Sequence, residues 1–260
     1  MEVLQRPGGE LATRPIHFFW VVDCSGSMYG EKIGIVNNTI QECIPEMRSA
    51  ADNNPNAQLL IRALQFSSGA SWITSSPVPV EDYGWEDMDA NGLTEMGKAF
   101  DLLAAQLSIP PMPERALPPV IVLLSDGQPT DDYKKSMEKL KKLPWFRKAV
   151  KIAISIGQDA DDEVLIEFAG NKELVLQANN ATALAKMIKW ASTTVSMVSA
   201  PSSKPMNSVA VSTPASASGA SAAASVPADD PFAPANNGAP LVLDMSNIPN
   251  PDDFDEGAVW

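Results

Sequence analysis

Cysteine is nearly absent. Cys24 and Cys43 are the only two in 260 residues, which excludes a disulfide scaffold, and neither belongs to a CxxC pair of the kind that holds structural zinc. Histidine is scarcer still. His17 is the only one, so Ser-His-Asp, Cys-His and multi-histidine metal chemistry would all have to share a single residue. Positive charge is also short: 19 Lys and Arg stand against 32 Asp and Glu, for a net charge of −13. Nucleic acid and anionic membrane surfaces are therefore excluded as expected partners, since both need clustered cations. No apolar run reaches the length of a membrane span. The first residues, "MEVLQRPGGELATRP", carry acids and a double glycine where a secretory signal has an apolar core. A soluble, cytoplasmic protein is expected.

What remains is an α/β pattern. "IHFFWVV" (16–22) is a continuous apolar run suited to a strand buried on both faces. Ile33, Val36, Ile40, Cys43, Ile44 and Met47 recur at helical spacing, with Pro45 expected to kink or open that helix. Strands are expected at 59–66, 71–74, 120–126, 149–157 and 173–177. Helices are expected from about residue 94, over 131–143 with Asp131 and Asp132 starting it, over 161–170, and over 181–195. Alternation of this kind predicts a doubly wound, mostly parallel sheet with helices on both faces.

Composition divides the chain further. Residues 1–14 read as an N-terminal extension and 15–197 as the α/β domain. Residues 198–228 are Ser, Ala and Pro with almost no charge, which predicts a flexible linker. Residues 229–260 hold seven acids and no Lys or Arg, alongside Phe232, "LVLDM" (241–245), Phe254 and Trp260. This mixture predicts a peptide-like docking tail.

Three segments converge on the edge where an open α/β sheet binds ligands, beyond the carboxyl ends of its strands. They are "DCSGS" (23–27), "GLTEMG" (92–97) and "SDGQPTDD" (125–132). They bring Asp23, Ser25, Ser27, Thr94 and Asp126, all hard oxygen donors. Two carboxylates neutralise a divalent ion, hydroxyls fill further positions without adding charge, and a place is left for water or an incoming carboxylate. Mg²⁺ or Mn²⁺ is the expected ion.

These three segments in order resemble the metal-ion-dependent adhesion site of von Willebrand factor A domains, in which Asp-x-Ser-x-Ser is followed by a distant Thr and a distant Asp. The longer strings "DCSGSMYGEKI" and "LLSDGQPTDD" resemble bacterial TerY-like proteins of the tellurium-resistance group. The resemblance implies an interaction module whose metal takes an Asp or Glu from a protein partner, with a protein kinase or phosphatase as the associated context. In the family two small residues often precede the Thr, whereas here Leu93 does.

Each piece also has a plainer reading. Ser25 or Ser27 alone would be a helix cap. Cys24 would be a small buried thiol. Lys32, near the helix start, offers a contact for an anion, with a solvated surface charge as its plainer reading. The competing functional reading is a Mg²⁺-dependent phosphatase with Asp23 as nucleophile. Such enzymes carry a second Asp two residues later as acid/base, and Ser25 stands there instead. No enzymatic activity is expected. A dinucleotide site is excluded because no GxGxxG follows the first strand.

Overall fold

The structure, a computed structural model, describes residues 14–52, 57–126, 128–158 and 160–198, with side chains up to 189. The extension at 1–13, nearly all of the linker and the whole tail lie outside the described residues.

β1 (Arg14–Asp23) has its last eight residues buried. Successive side chains of a strand point to opposite faces. Accordingly Phe18, Trp20 and Val22 enter one core cluster, and Phe19 and Val21 the other. Burying each such side chain stabilises the fold by about 1.5–3 kcal/mol. β1 can therefore only be a central strand. It pairs in parallel with β2 (Ala57–Ser67) on one side and β5 (Val120–Ser125) on the other.

The remaining strands are β3 (Gly69–Trp72), β4 (Val78–Pro79), β6 (Val150–Ile156) and β7 (Val175–Ala178). The sheet order is β3-β2-β1-β5-β6-β7. β3 and β4 both run antiparallel to β2, along different stretches of its outer edge. The expected sheet is thus present, with one addition. β4 is two residues long and carries a proline, too short for any periodicity to announce it.

α1 (Glu31–Asp52) and α6 (Ala181–Val198) cover the face that holds Phe18 and Trp20. The opposite face is covered by α2 (Met96–Gln106), α3 (Tyr133–Lys142), α4 (Pro144–Lys148) and α5 (Asp162–Ala169). α1 runs as one helix through Pro45. Its apolar stripe on the sheet, from Ile33 to Met47, outweighs the one backbone donor that proline removes. α4 is an unexpected separate turn, started by Pro144 at a position where a missing N–H costs nothing. The chain leaves β1 toward β2 in one direction and returns to β5 in the other. The crevice between the ends of β1 and β5 is the switch point where ligands bind in such sheets.

Candidate metal site

Asp23 ends β1, and Asp126 directly follows β5. The loop after β1 makes a single 3-10 turn, Gly26–Met28, before α1 begins. In it the Ser25 backbone N–H donates to Asp23 Oδ1 (2.8 Å), and Ser25 Oγ and Ser27 Oγ are hydrogen-bonded at 3.0 Å. Ser25 is buried and Ser27 exposed. Asp23 Oδ2 accepts from the Ser125 hydroxyl (2.5 Å), the residue just before Asp126.

Backbone hydrogen bonds tie the loops together. Gly26 N donates to Gly92 O (3.0 Å) and Asn91 N to Cys24 O (2.8 Å). Gly92 sits at φ +78°, and a Cβ there would stand 2.5 Å from Ser68 Oγ, which accepts from Leu93 N. Only glycine fits this turn. Thr94 is 5 % exposed; its N–H donates to Thr130 Oγ1 (3.1 Å) and its carbonyl accepts from Thr130 N (2.9 Å). Leu93 points outward, 55 % exposed, so it leaves Thr94 in place rather than displacing it.

Asp131 does something the sequence did not suggest. Expected to start α3, it instead reaches across to cap α2, accepting from Gly97 N (3.0 Å) and Lys98 N (3.2 Å). A Cβ on Gly97 would lie 2.8 Å from that carboxylate. Thr130 and Asp131 together lock the third segment to the helix that follows Thr94. Two hydrogen-bonding residues spaced for a neighbouring helix leave no local signature, so proximity in sequence pointed to the wrong partner.

Electrostatically the two acids differ. Asp23 is completely buried, and its pKa rises from 3.8 to about 6. Desolvation is the main cause, and the nearby Asp126 charge adds to it. The hydrogen bonds from Ser125 and Ser25 work in the opposite direction. Asp126 is 7 % exposed, and its Oδ1 is buried with no hydrogen-bond partner. Lys32 approaches its other oxygen at 3.9 Å. Of the two readings for Lys32, the plainer solvated surface charge gives way to the anion contact: its side chain is 18 % exposed and faces Asp126. Cys24 is buried in the core cluster with Sγ 3.7 Å from Met88 Sδ, and burial pushes its thiol up to about 12. It is inert at neutral pH, as the plainer reading held.

The donors fit a small hard cation. An unpartnered buried carboxylate oxygen is costly unless something positive meets it. The 3.0 Å spacing of the two serine oxygens matches the edge of an octahedron with metal–oxygen bonds of about 2.1 Å, which is about 3 Å. Among the described residues no three His, Cys, Asp or Glu side chains gather as a metal site. Any ion here depends on two carboxylates and neutral hydroxyls. Beside the cup, on the β2–β3 side, lies a groove of about 570 Å³ whose wall includes Glu86, Asp87 and Asp89.

The model of the von Willebrand factor type A domain matches residues 19–190. No curated protein matches the sequence. Among solved structures, the fold is similar to that of the ArnB paralog VWA2 from Sulfolobus acidocaldarius, at 18 % identity and TM-score 0.51 over 68 % of this chain and 45 % of that one. A von Willebrand factor type A protein from Catenulispora acidiphila is similar at 16 % identity and TM-score 0.51, over 71 % and 43 %. The pilus adhesin SpaC from Lactobacillus rhamnosus GG, in its open conformation, is similar at 13 % identity and TM-score 0.57, over 71 % and 30 %. The chain spans less than half the length of each of these proteins.

Proposed function

The chain belongs to the von Willebrand factor type A family, and we propose that it acts as a metal-dependent protein-interaction module. In this reading Asp23, Ser25, Ser27, Thr94 and Asp126 hold Mg²⁺ or Mn²⁺, some directly and some through water. The ion supplies an open coordination position for an Asp or Glu carboxylate from a partner. The chain's own contribution is to hold the oxygens in place before the ion arrives. The Ser25 amide and the Ser125 hydroxyl orient Asp23, and Thr130 and Asp131 fix the segment that carries Thr94. The observation that carries the reading is the buried, unpartnered Oδ1 of Asp126 beside these oxygens. A calorimetric titration of the chain with Mn²⁺ tests it, and the absence of saturable binding overturns it.

No turnover is part of this reading, because Ser25 stands where a phosphatase places its proton shuttle. Two large apolar side chains flank the cup in the open: Tyr29, 79 % exposed, and Leu93, 55 % exposed. They suit the apolar contacts that surround a central carboxylate–metal bond in a partner interface. Replacing both with Ser is expected to leave Mn²⁺ affinity unchanged and to lower EDTA-sensitive capture of a partner by at least about tenfold. Unchanged capture would place the partner elsewhere.

The finer context follows the TerY-like resemblance: a cytoplasmic adaptor of a bacterial stress system, working with a protein kinase or phosphatase. Residues 198–228 serve in this scheme as a linker and 229–260 as a docking segment. A linker of about thirty residues gives a reach of roughly 30 Å. Deleting 229–260 is expected to leave the domain's melting temperature unchanged and to weaken partner capture. Stronger capture after deletion would mean that the tail blocks the cup instead.

A further inference from the structure

Lys32 lies in the first turn of α1, on the far side of the cup from the acidic groove. Its ammonium is 3.9 Å from Asp126 Oδ2, beyond hydrogen-bonding distance. Beneath it is Gly157, at φ +91°, where a Cβ would stand 3.2 Å from the Lys32 nitrogen. A side chain at 157 would crowd the ammonium. Lys32, Ser27 and Asp126 line one cleft of about 220 Å³, with Gln128, Gly157 and Gln158 on its wall. Lys32 thus gives Asp126 a counter-charge but no hydrogen bond, and Asp126 Oδ1 keeps no partner at all.

From this arrangement we infer that Lys32 has two successive partners: Asp126 in the metal-free protein, and the incoming carboxylate once the metal is bound. The inference rests on the metal-dependent reading of the cup. With a divalent ion bound by Asp23 and Asp126, Asp126 would have its counter-charge from the ion, and the Lys32 ammonium would be free to take another anion. Two carboxylates, a divalent ion and one ammonium leave a single net positive charge, which one carboxylate neutralises. A carboxylate has two oxygens. One would serve the metal, and the other would be left for the ammonium, whose flexible stem can follow it across the cleft. The first partner makes Lys32 a competitor of the metal. The second makes it a selector for acidic side chains over neutral oxygen donors.

The two roles predict opposite effects of one substitution. Mn²⁺ is titrated into the full chain by calorimetry. Acetate is then titrated into the Mn²⁺-loaded chain and followed by paramagnetic broadening of its methyl proton resonance. Lys32→Met is expected to bind Mn²⁺ at least about threefold more tightly, through loss of a nearby positive charge. It is expected to bind acetate about tenfold more weakly, through loss of a charge-assisted hydrogen bond. Lys32→Arg, which keeps the charge, retains acetate binding within about threefold. If Lys32→Met binds Mn²⁺ no more tightly than the parent, or binds acetate as well as the parent, the inference is overturned and the metal-dependent module still stands. If the parent chain binds no Mn²⁺, both fall together.

Discussion

Asp126→Ala and Asp23→Ala are both expected to abolish Mg²⁺ and Mn²⁺ binding, at least about a hundredfold by calorimetry, yet to move stability in opposite directions. Each supplies one of the two negative charges in the cup, and neutral oxygens cannot replace it for a hard divalent ion. Stability is another matter. Asp23 uses both oxygens inside the fold, one on the Ser25 amide and one on the Ser125 hydroxyl. Its removal strands two buried donors and costs about 1–3 kcal/mol. Asp126 has a buried oxygen with no partner and a lysine too far away to satisfy it. Its removal relieves that penalty, so metal-free Asp126→Ala is expected to be as stable as the parent or about 1 kcal/mol more stable. Urea unfolding in EDTA at pH 5, below the raised pKa of Asp23 so that relief of its ionisation does not offset the stranded donors, with calorimetry at pH 7, checks both signs. Unchanged affinity in either folded variant removes that residue from the site. Equal destabilisation by both would mean that Asp126 has a structural partner after all.

The metal-free protein is expected to show an almost flat stability profile between pH 4 and 6.5, made of two opposed slopes. His17 is 3 % exposed, neither ring nitrogen is hydrogen-bonded, and desolvation lowers its pKa from 6.5 to about 4. A depressed pKa gives stability that is whole above 6.5 and is lost as pH falls through 4. Asp23, raised from 3.8 to about 6, gives stability that is whole below 3.8 and is lost as pH rises through 6. Each amounts to about 3 kcal/mol over its window, so they nearly cancel. His17→Leu removes the first slope and should leave a chain that weakens by about 3 kcal/mol as pH rises from 4 to 6.5. Saturating Mg²⁺ holds Asp23 ionised and removes the second, so the loaded protein should strengthen over the same range. Urea unfolding at three pH values, with EDTA or Mg²⁺, reads all of this. A parent profile as steep in EDTA as in Mg²⁺ would overturn it.

Much of the fold was legible because its strands are long and apolar. "IHFFWVV" suits a strand covered on both faces and is one, and the 3.6-residue spacing of α1 survived even its proline. The positions of Asp23, Ser25, Ser27 and Asp126 followed from one rule, that strand ends on the carboxyl side face the crevice, whereas Thr94 sits before α2 and was picked out by the family pattern. The residues that hold them followed from nothing local. Ser125 precedes Asp126 and reads as strand, yet its hydroxyl reaches Asp23. Asp131 precedes a helix, yet caps a different one. Lys32 reads as surface because a lysine in the first turn of a helix ordinarily points to solvent, whereas its environment is set by Asp126 and Gly157 from two other strand ends. Each of these depends on a contact between distant parts of the chain, and spacing along a sequence carries no record of that.

The hydrogen bond between Ser125 and Asp23 spans 102 positions, and this fixes when the cup can exist during synthesis. β1 and β2 can meet as soon as both have emerged from the ribosome. β5 is made some fifty residues later, yet it is inserted beside β1 on the opposite flank. Until then the inner edge of β1 is bare, and Asp23 has neither its hydroxyl donor nor its acidic companion. A nascent chain halted before residue 120 therefore has only half the charge that a divalent ion needs. On the proposed reading, ion capture therefore waits until β5 has joined β1 and Asp126 is in place, with β6, β7 and α6 still to be added.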